Sequence, residues 1–192
     1  GFANTASGWQ ALYSNTTGFW NTATGRGALY NNTTGCCNTA SGYNTLFYNT
    51  TGAANTASGY QALRKNTTGY DNTASGYTAL QSNTTGYRNI ATGREALYLN
   101  TTGYSNTASG VGALYANTTG TKNIGIGYTA GDAITTGSNN TIIGDLPGST
   151  TLADTILIAA GTTERIKVDA TGLYINGTLM SGGGGGGATD ID

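Results

Sequence analysis

The sequence predicts an all-β protein, a parallel β-solenoid (β-roll) of 17-residue coils followed by a short β-meander. The first observation is a repeat without insertions, because asparagine recurs every 17 residues at Asn4, Asn21, Asn38, Asn55, Asn72, Asn89, Asn106, Asn123 and Asn140. The second is the unit itself, N-T-A-S-G-Y-x-A-L-Y-x-N-T-T-G-Y-x, which is too short for a pair of helices and rich in residues that favour strands and tight turns. The third is the constant period, since one added residue would turn the side chains of a strand to its opposite face.

Two positions of the repeat, the second and the fourth, are predicted to face the interior because each exchanges a small polar residue for isoleucine. The examples are Thr56, Thr73, Ile90 and Ile124 at the second position and Ser58, Ser75, Ile126 and Ile143 at the fourth. The leucines of the ninth position are predicted to join them, namely Leu12, Leu29, Leu46, Leu63, Leu80, Leu97 and Leu114. On this assignment Thr73→Asp disrupts a coil, whereas Thr78→Asp at the seventh position is a mild surface change.

The predicted core is thin, so further sources of stability are expected. About one large aliphatic side chain per coil offsets little of the entropy lost on ordering the coil. Asparagine amides at the first and twelfth positions are predicted to hydrogen-bond from coil to coil. Aromatic side chains recur at the sixth, tenth and sixteenth positions, and at least one stripe is expected to pack against a neighbouring chain, which predicts a homotrimer. The candidate interface or glycan-contacting aromatics are Tyr43, Tyr60, Tyr70, Tyr77, Tyr87 and Tyr104.

The chain divides into a solenoid array at 1–144, a β-meander that caps or continues the shaft at 145–181, and a Gly-rich linker with the start of a further segment at 182–192. The Asp-Leu-Pro-Gly stretch at 145–148 is predicted to be a turn that ends the stack. Short strands are predicted at 155–159, 165–168 and 173–176. A meander this small is expected to interlock with copies of itself. The glycines at 182–187 are interpreted as a flexible linker, with packing about a trimer axis as the alternative.

Composition narrows the classes of function. The chain has no histidine, which argues against Ser-His-Asp, Cys-His and His-metal chemistry within one chain, so no enzyme activity, cofactor or metal site is expected. Eight Lys and Arg against nine Asp and Glu give no basic field for nucleic acid, and no apolar run approaches the roughly 20 residues that cross a bilayer. The neighbouring Cys36 and Cys37 are expected to point to opposite faces of a strand and not to bond to each other.

The N-T-A-S-G-Y-x-A-L-x-x-N-T-T-G units are followed by N-N-T-I-I-G at 139–144, D-T-I-L-I at 154–158 and E-R-I-K-V-D-A-T-G-L-Y-I-N-G at 164–177. This combination resembles bacteriophage tail fibres and related virion fibre proteins, and more distantly the heads of trimeric autotransporter adhesins. The resemblance implies a homotrimeric β-solenoid shaft on the virion surface, hence extracellular. It also implies contacts with other virion or fibre proteins and a part in attachment to the host surface.

Several functions remain open beside a structural fibre: a bacterial surface adhesin or carbohydrate-binding solenoid, a tailspike enzyme and an ice-binding protein. The variable positions of Asp71, Arg88, Glu95 and Asp132 are interpreted as solvated charge or as part of a surface for a host glycan. A tailspike that hydrolyses glycans needs paired carboxylates roughly 5 to 9 Å apart, and no carboxylate recurs from coil to coil. Ice binding is disfavoured, because in most coils the threonines are expected to be enclosed or in turns. The Asn-Thr-Thr sites, among them Asn49, Asn66 and Asn83, are interpreted as coil turns and not as glycosylation sites.

Overall fold

The computed structural model describes residues 1–180, which form one 13-stranded sheet whose strands follow one another in chain order. Nine three-residue strands come first: β1 (Thr5–Ser7), β2 (Thr22–Thr24), β3 (Thr39–Ser41), β4 (Thr56–Ser58), β5 (Thr73–Ser75), β6 (Ile90–Thr92), β7 (Thr107–Ser109), β8 (Ile124–Ile126) and β9 (Thr141–Ile143). Four more complete the sheet: β10 (Ile156–Ala160), β11 (Thr163–Asp169), β12 (Gly172–Ile175) and β13 (Thr178–Met180). The predicted linker at 182–187 and the segment after it lie outside the described residues.

Strands β1–β9 pair parallel and in register, so each position of the repeat lies beside the same position of the next coil. Thr73 of β5, for example, lies opposite Ile90 of β6, and Ala74 lies opposite Ala91. The prediction of an all-β parallel solenoid with a 17-residue period is confirmed. Each coil contains one strand of three residues, and turns and bends make up most of the remainder.

The turns depend on non-glycine residues in the left-handed region at the seventh, ninth and seventeenth positions of the coil. In the coil that begins at Asn72, φ is 52° at Thr78, 52° at Leu80 and 54° at Arg88. Side chains in this region cost conformational energy, and such residues persist only where their surroundings hold them. Backbone hydrogen bonds to the next coil stabilise this conformation, for instance the bond from the Leu80 N–H to the Ala96 carbonyl at 3.0 Å. The conformation of each coil therefore depends on its neighbours.

The third, eighth and ninth positions line the interior, whereas the second and fourth face outward. Ala74 is 1% exposed, but Ile90 is 47% exposed. Successive side chains of a strand point to opposite faces, and the leucine of each coil fills the inside so closely that little more than a methyl group fits beside it. At Gly125, even a Cβ atom would lie 2.9 Å from Cγ of Leu114.

The prediction of inward-facing second and fourth positions is therefore wrong for all its examples: Thr56, Thr73, Ile90, Ile124, Ser58, Ser75, Ile126 and Ile143. The seventh position, predicted to lie at the surface, is buried at Thr78, whose hydroxyl has no hydrogen-bond partner within the described residues. We therefore expect Thr78→Asp to destabilise the fold more than Thr73→Asp, the reverse of the order predicted from the sequence. The leucine prediction is confirmed, with Leu12 of the first coil partly buried and six leucines fully buried: Leu29, Leu46, Leu63, Leu80, Leu97 and Leu114.

The predicted asparagine ladders are confirmed, and their geometry shows how one coil binds the next. The Asn72 side chain donates to Oδ1 of Asn55 in the preceding coil at 3.1 Å and to the Gly86 carbonyl of its own coil at 2.9 Å. Asn83, at the twelfth position, donates to Asn66 Oδ1 at 2.7 Å and to the same Gly86 carbonyl at 2.9 Å. Two parallel ladders therefore run along the solenoid, and a glycine carbonyl joins them in these coils.

The stack continues past the 145–148 turn, which was predicted to end it. Strand β10 pairs parallel with β9, with Ile156 opposite Thr141, so this last coil advances 15 residues in place of 17. The Thr155 N–H takes over the place of an asparagine N–H by donating to Asn140 Oδ1 at 3.2 Å. From β10 onward the pairing is antiparallel. The three predicted strands of the meander are confirmed, and β13 is an addition that the sequence did not indicate.

Asn72 gives a direct test of the ladders. Asn72→Ala removes the acceptor of the Asn89 side chain and N–H and one donor to Gly86. Asn72→Asp keeps the acceptor but turns a carboxylate oxygen toward the oxygens of Asn55 and Gly86. At about 1–3 kcal/mol for each unsatisfied buried group, we expect Asn72→Ala to cost several kcal/mol, and Asn72→Asp to cost more at pH 7.

Urea denaturation of both variants measures this order. Burial raises the pKa of the new carboxyl, so the penalty of Asn72→Asp should shrink as the pH falls through that raised pKa and the carboxyl becomes a donor. The control is Asp71→Asn at the exposed neighbour, expected to change stability by less than about 0.5 kcal/mol. Equal stability of Asn72→Asp and the control would contradict the ladder.

Candidate functional surfaces

Three sixth-position tyrosines, Tyr43, Tyr60 and Tyr77, form one continuous stack on the surface of the solenoid. The ring centroids of Tyr43 and Tyr60 are 5.2 Å apart, and those of Tyr60 and Tyr77 are 5.0 Å apart, with the rings within 7° of parallel. The spacing of neighbouring strands, about 4.8 Å, falls within the range for stacked rings. In-register coils therefore bring identical aromatic residues into contact without any further packing.

Arginine extends this stack where the column has no aromatic residue. The Arg26 guanidinium lies 4.7 Å from the ring centroid of Trp9 and 5.6 Å from that of Tyr43. At the other end, the Arg94 guanidinium lies 5.9 Å from the centroid of Tyr77. A planar cation over a ring face is attracted by the ring quadrupole. The sixth-position column is therefore a single ladder of rings and guanidinium groups from Trp9 to Arg94.

The other two aromatic columns also stack on themselves. At the sixteenth position, Tyr87 lies 4.8 Å from both Tyr70 and Tyr104, centroid to centroid. At the tenth position the stacked pairs are Tyr13–Tyr30, Tyr30–Phe47 and Tyr98–Tyr115. The six candidate tyrosines thus fall into two separate ladders, one of Tyr43, Tyr60 and Tyr77 and one of Tyr70, Tyr87 and Tyr104. The aromatic stripes find their partners within the chain, so they do not by themselves require a neighbouring chain.

Stacking limits the part of each tyrosine ring that a sugar could contact. A sugar ring binds an aromatic side chain through the ring face, and inside a ladder both faces are covered by the neighbouring coils. Tyr60 and Tyr87 therefore present only ring edges and hydroxyl groups. The sixteenth-position ladder ends at Tyr70 and Tyr104, because the next coils carry Ala53 and Thr121 in that column. Only the terminal rings of such a ladder keep a face free of another ring.

A shallow groove that the sequence did not indicate lies beside the eleventh and thirteenth positions. It has a volume of about 560 Å³ and is lined by Ser14, Asn31, Thr33, Tyr48, Thr50, Lys65 and Thr67. Tyr48 is 41% exposed and is flanked in its own column by Asn31 and Lys65, which leaves it outside any ladder. It meets Phe47 edge-on and has the Arg64 guanidinium 5.1 Å from its ring centroid. An aromatic ring, hydroxyl groups, an amide and an ammonium group therefore line one groove.

The outward face of the strands carries two columns of small side chains. Threonine at the second position and serine or threonine at the fourth are exposed from β2 to β5. The prediction that the threonines are enclosed or in turns is therefore wrong for these residues, which are exposed and lie in strands. Isoleucine interrupts the hydroxyl array at Ile90, Ile124, Ile126 and Ile143, all of them exposed.

Among residues 1–180, several charged side chains lie in pairs on the surface of the solenoid. Arg88 lies 3.9 Å from Asp71, and Arg94 lies 3.3 Å from Glu95, in exposed pairs of the kind that contribute little stability. Burial raises the pKa of Asp132, and the nearby Asp145 carboxylate raises it further. Among residues 1–180, no group of three or more His, Cys, Asp or Glu side chains is placed to hold a metal ion.

The described part of the chain contains no helix that is long and apolar enough to span a membrane.

The two cysteines occupy the sixteenth and seventeenth positions of a coil, where the chain is not a strand as had been expected. Both are free thiols, which agrees with the prediction that they do not bond to each other. Partial burial raises the pKa of the Cys36 thiol, and Cys37 beside it raises that pKa further.

The Asn-Thr-Thr asparagines Asn49, Asn66 and Asn83 are fully buried, which supports their interpretation as coil turns.

Comparison with protein-family models, with curated proteins and with solved structures finds no match to this chain.

Substitutions at Tyr60 test the sixth-position ladder. Tyr60→Ala removes two stacked contacts and is expected to cost about 1–3 kcal/mol, at about 0.5–1.5 kcal/mol per aromatic pair. Tyr60→Arg should recover part of this loss, because Arg26 and Arg94 already occupy the same column over aromatic rings. The control is Tyr128→Ala in the same column, where the ring has no stacked aromatic partner among the described residues. Denaturation midpoints that place Tyr60→Ala level with Tyr128→Ala would contradict a stabilising ladder.

Proposed function

We propose that this chain is part of the shaft of a homotrimeric virion fibre of a bacteriophage, a structural protein that takes part in attachment to the host surface. The observation that supports this most is the uninterrupted in-register stack of β1–β9, in which buried asparagine side chains join every coil to the next. Such a stack lengthens along one axis with every added repeat. A shaft that holds a receptor-binding tip away from a particle needs this kind of regular, self-propagating structure.

The surface properties agree with a structural role in an assembly. The aromatic columns stack within the chain, although Trp9, Tyr13 and Tyr128 remain largely exposed. The outward strand face is a further exposed apolar surface, where isoleucine replaces threonine or serine. Soluble monomers rarely expose large contiguous apolar patches. Association with further copies of the chain covers such a face, which supports the homotrimer. The partners proposed for the shaft are thus itself and the neighbouring proteins of the fibre, with the virion surface as its location.

A carbohydrate-binding adhesin is the second candidate, and the Tyr48 groove is the observation that favours it. The groove combines an aromatic ring outside the ladders with hydroxyl, amide and ammonium groups, which are the groups that recognise sugars. The six tyrosines predicted from the sequence are less suited to this role, because the ladders cover the ring faces at Tyr60, Tyr77 and Tyr87. In this alternative the shaft itself binds a host-surface glycan.

Immunolabelling tests the fibre proposal. Antibody raised against the purified chain, applied to virions and to bacteria from the same source, is expected to mark filaments that project from the virions in electron micrographs. Labelling of bacterial surfaces alone would overturn the virion assignment and favour the adhesin.

Glycan binding separates the two candidates within the purified protein. If the groove binds sugar, Tyr48→Ala should abolish binding on a glycan array, while Tyr128→Ala, which removes another exposed tyrosine, should not change it. We expect no glycan binding by the shaft alone. Specific binding that is lost in Tyr48→Ala would favour the carbohydrate-binding alternative.

A further inference from the structure

We infer that copies of this chain associate through the outward face of strands β8–β13, here called the apolar face, whose most exposed members include Ile124, Ile126, Ile143, Ile156, Leu173 and Ile175. The inference rests on the homotrimer of the proposed function and identifies the surface that holds it together. The apolar face, and not the aromatic stripes predicted from the sequence, is then the interface, because the stripes stack within the chain.

The register of the sheet places these side chains on one face. Ile126 of β8 lies opposite Ile143 of β9, which lies opposite Ile158 of β10. The antiparallel strands continue the row, because Ile158 pairs with Ile166 and Ile166 pairs with Ile175. Residues directly opposite each other in neighbouring strands share a face of the sheet. An apolar row therefore crosses from the last solenoid coils into the antiparallel strands without a break.

A second row runs parallel to the first. Ile156 of β10 lies opposite Val168 of β11, which lies opposite Leu173 of β12, and Leu173 lies opposite Met180 of β13. Ile124 of β8 reaches this row through Thr141. The two rows make the apolar face two apolar side chains wide on β8, β10, β11 and β12, whereas Thr141 and Thr178 leave one apolar side chain each on β9 and β13.

The opposite face of the same strands has a different character. Leu157 points inward, is 6% exposed and packs on the solenoid core. Further along this face, the Lys167 ammonium lies 2.8 Å from the Asp169 carboxylate and 5.3 Å from the ring centroid of Tyr174. The charged groups are thus on the side that continues from the core, whereas the apolar face points away from it. No described part of the chain covers the apolar face.

A continuous row of exposed aliphatic side chains favours a partner. Ile126 is 43% exposed, and Ile143 is 38% exposed, although both lie in the sheet next to buried residues. A small set of strands gains independent stability by covering its hydrophobic face, and nothing in residues 1–180 covers the outward face of β11–β13, where Leu173 and Ile175 are exposed. Burial of the apolar face would supply that layer.

The partner that fits is another copy of this chain. The second and fourth positions of β1–β9 contain only Thr, Ser and Ile, although the chain has eight Lys and Arg and nine Asp and Glu. Two such faces meet without burying a charge, and their small side chains allow close approach. A second copy has the same strand spacing, so its outward face stays in step with this face from coil to coil. The apolar face and the hydroxyl columns that continue it therefore match a second and third copy along their whole length.

Serine substitutions on the apolar face test the inference without changing the coil. Ile126→Ser combined with Ile143→Ser installs at the fourth position the residue that Ser58, Ser75 and Ser109 already provide there. Leu99→Ser is the matched control, because it replaces an exposed aliphatic residue at the eleventh position with the residue found there at Ser14 and Ser82. Analytical ultracentrifugation from about 1 to 50 μM measures the assembly, and circular dichroism confirms the fold.

The wild type and the Leu99→Ser control are expected to sediment as particles of three times the 19.4 kDa chain mass. The double variant should be folded and should dissociate at least about 100-fold more readily, because each copy loses two apolar contacts. A wild-type trimer with an equally stable trimer of the double variant would overturn the apolar-face inference and leave the trimer standing. A folded wild-type monomer would overturn the trimer itself.

Disulfide trapping gives a second readout if the double variant does not fold. In a background with Cys36→Ser and Cys37→Ser, Ile143→Cys should form interchain disulfides on mild oxidation, whereas Leu99→Cys should not. Crosslinking of Leu99→Cys but not of Ile143→Cys would overturn the inference.

Discussion

The interaction on which the rest of this structure depends is the hydrogen bond between asparagine side chains of neighbouring coils. In the coils from Asn21 to Lys122, each asparagine of the first and twelfth positions accepts from the coil after it and donates to the coil before it, and both donate to one glycine carbonyl of their own coil. These asparagines are buried, so every bond lost would leave a polar group unsatisfied. The ladder is satisfied only when the coils are in register, which explains why the 17-residue period contains no insertion across nine strands.

The surface follows from the same register. Because identical positions lie beside one another, any aromatic side chain that recurs in successive coils must stack on its copies, as Tyr43, Tyr60 and Tyr77 do. Stacking stabilises the coils but covers the ring faces that would bind a sugar. A side chain escapes the ladder only where the column changes residue type, as at Tyr48. The regularity that makes a good shaft thus leaves few places for ligand recognition.

Much of the fold could be predicted from the period, because a constant spacing and turn-forming residues define a stacked coil. The asparagine ladders and the leucine core followed from the same pattern. The strand faces could not be predicted correctly, because an exchange of Thr73 for Ile90 in successive coils was interpreted as enclosure. The more informative position is the third, which is alanine in seven successive strands because the leucine inside leaves room for little more than a methyl group.

The end of the stack and the Tyr48 groove were not predictable for a related reason. Thr155 substitutes for an asparagine in the ladder through its backbone N–H, a role that no side-chain pattern shows. The groove depends on single residues that depart from the repeat, whereas the repeat pattern shows only the residues that the coils share. Departures from a repeat are therefore the positions at which a structure is needed most.

Two internal deletions test most directly whether the fold depends on the in-register asparagine ladder. Removing residues 72–88 takes out one whole coil and joins two units in register, whereas removing residues 71–88 takes out one residue more while keeping the asparagine of the next coil. We expect the 17-residue deletion to unfold in one transition close to that of the full chain. The 18-residue deletion should break the ladder at the junction and unfold at a lower temperature in separate steps. Equal thermal unfolding of the two proteins would contradict the dependence of the fold on the in-register asparagine ladder.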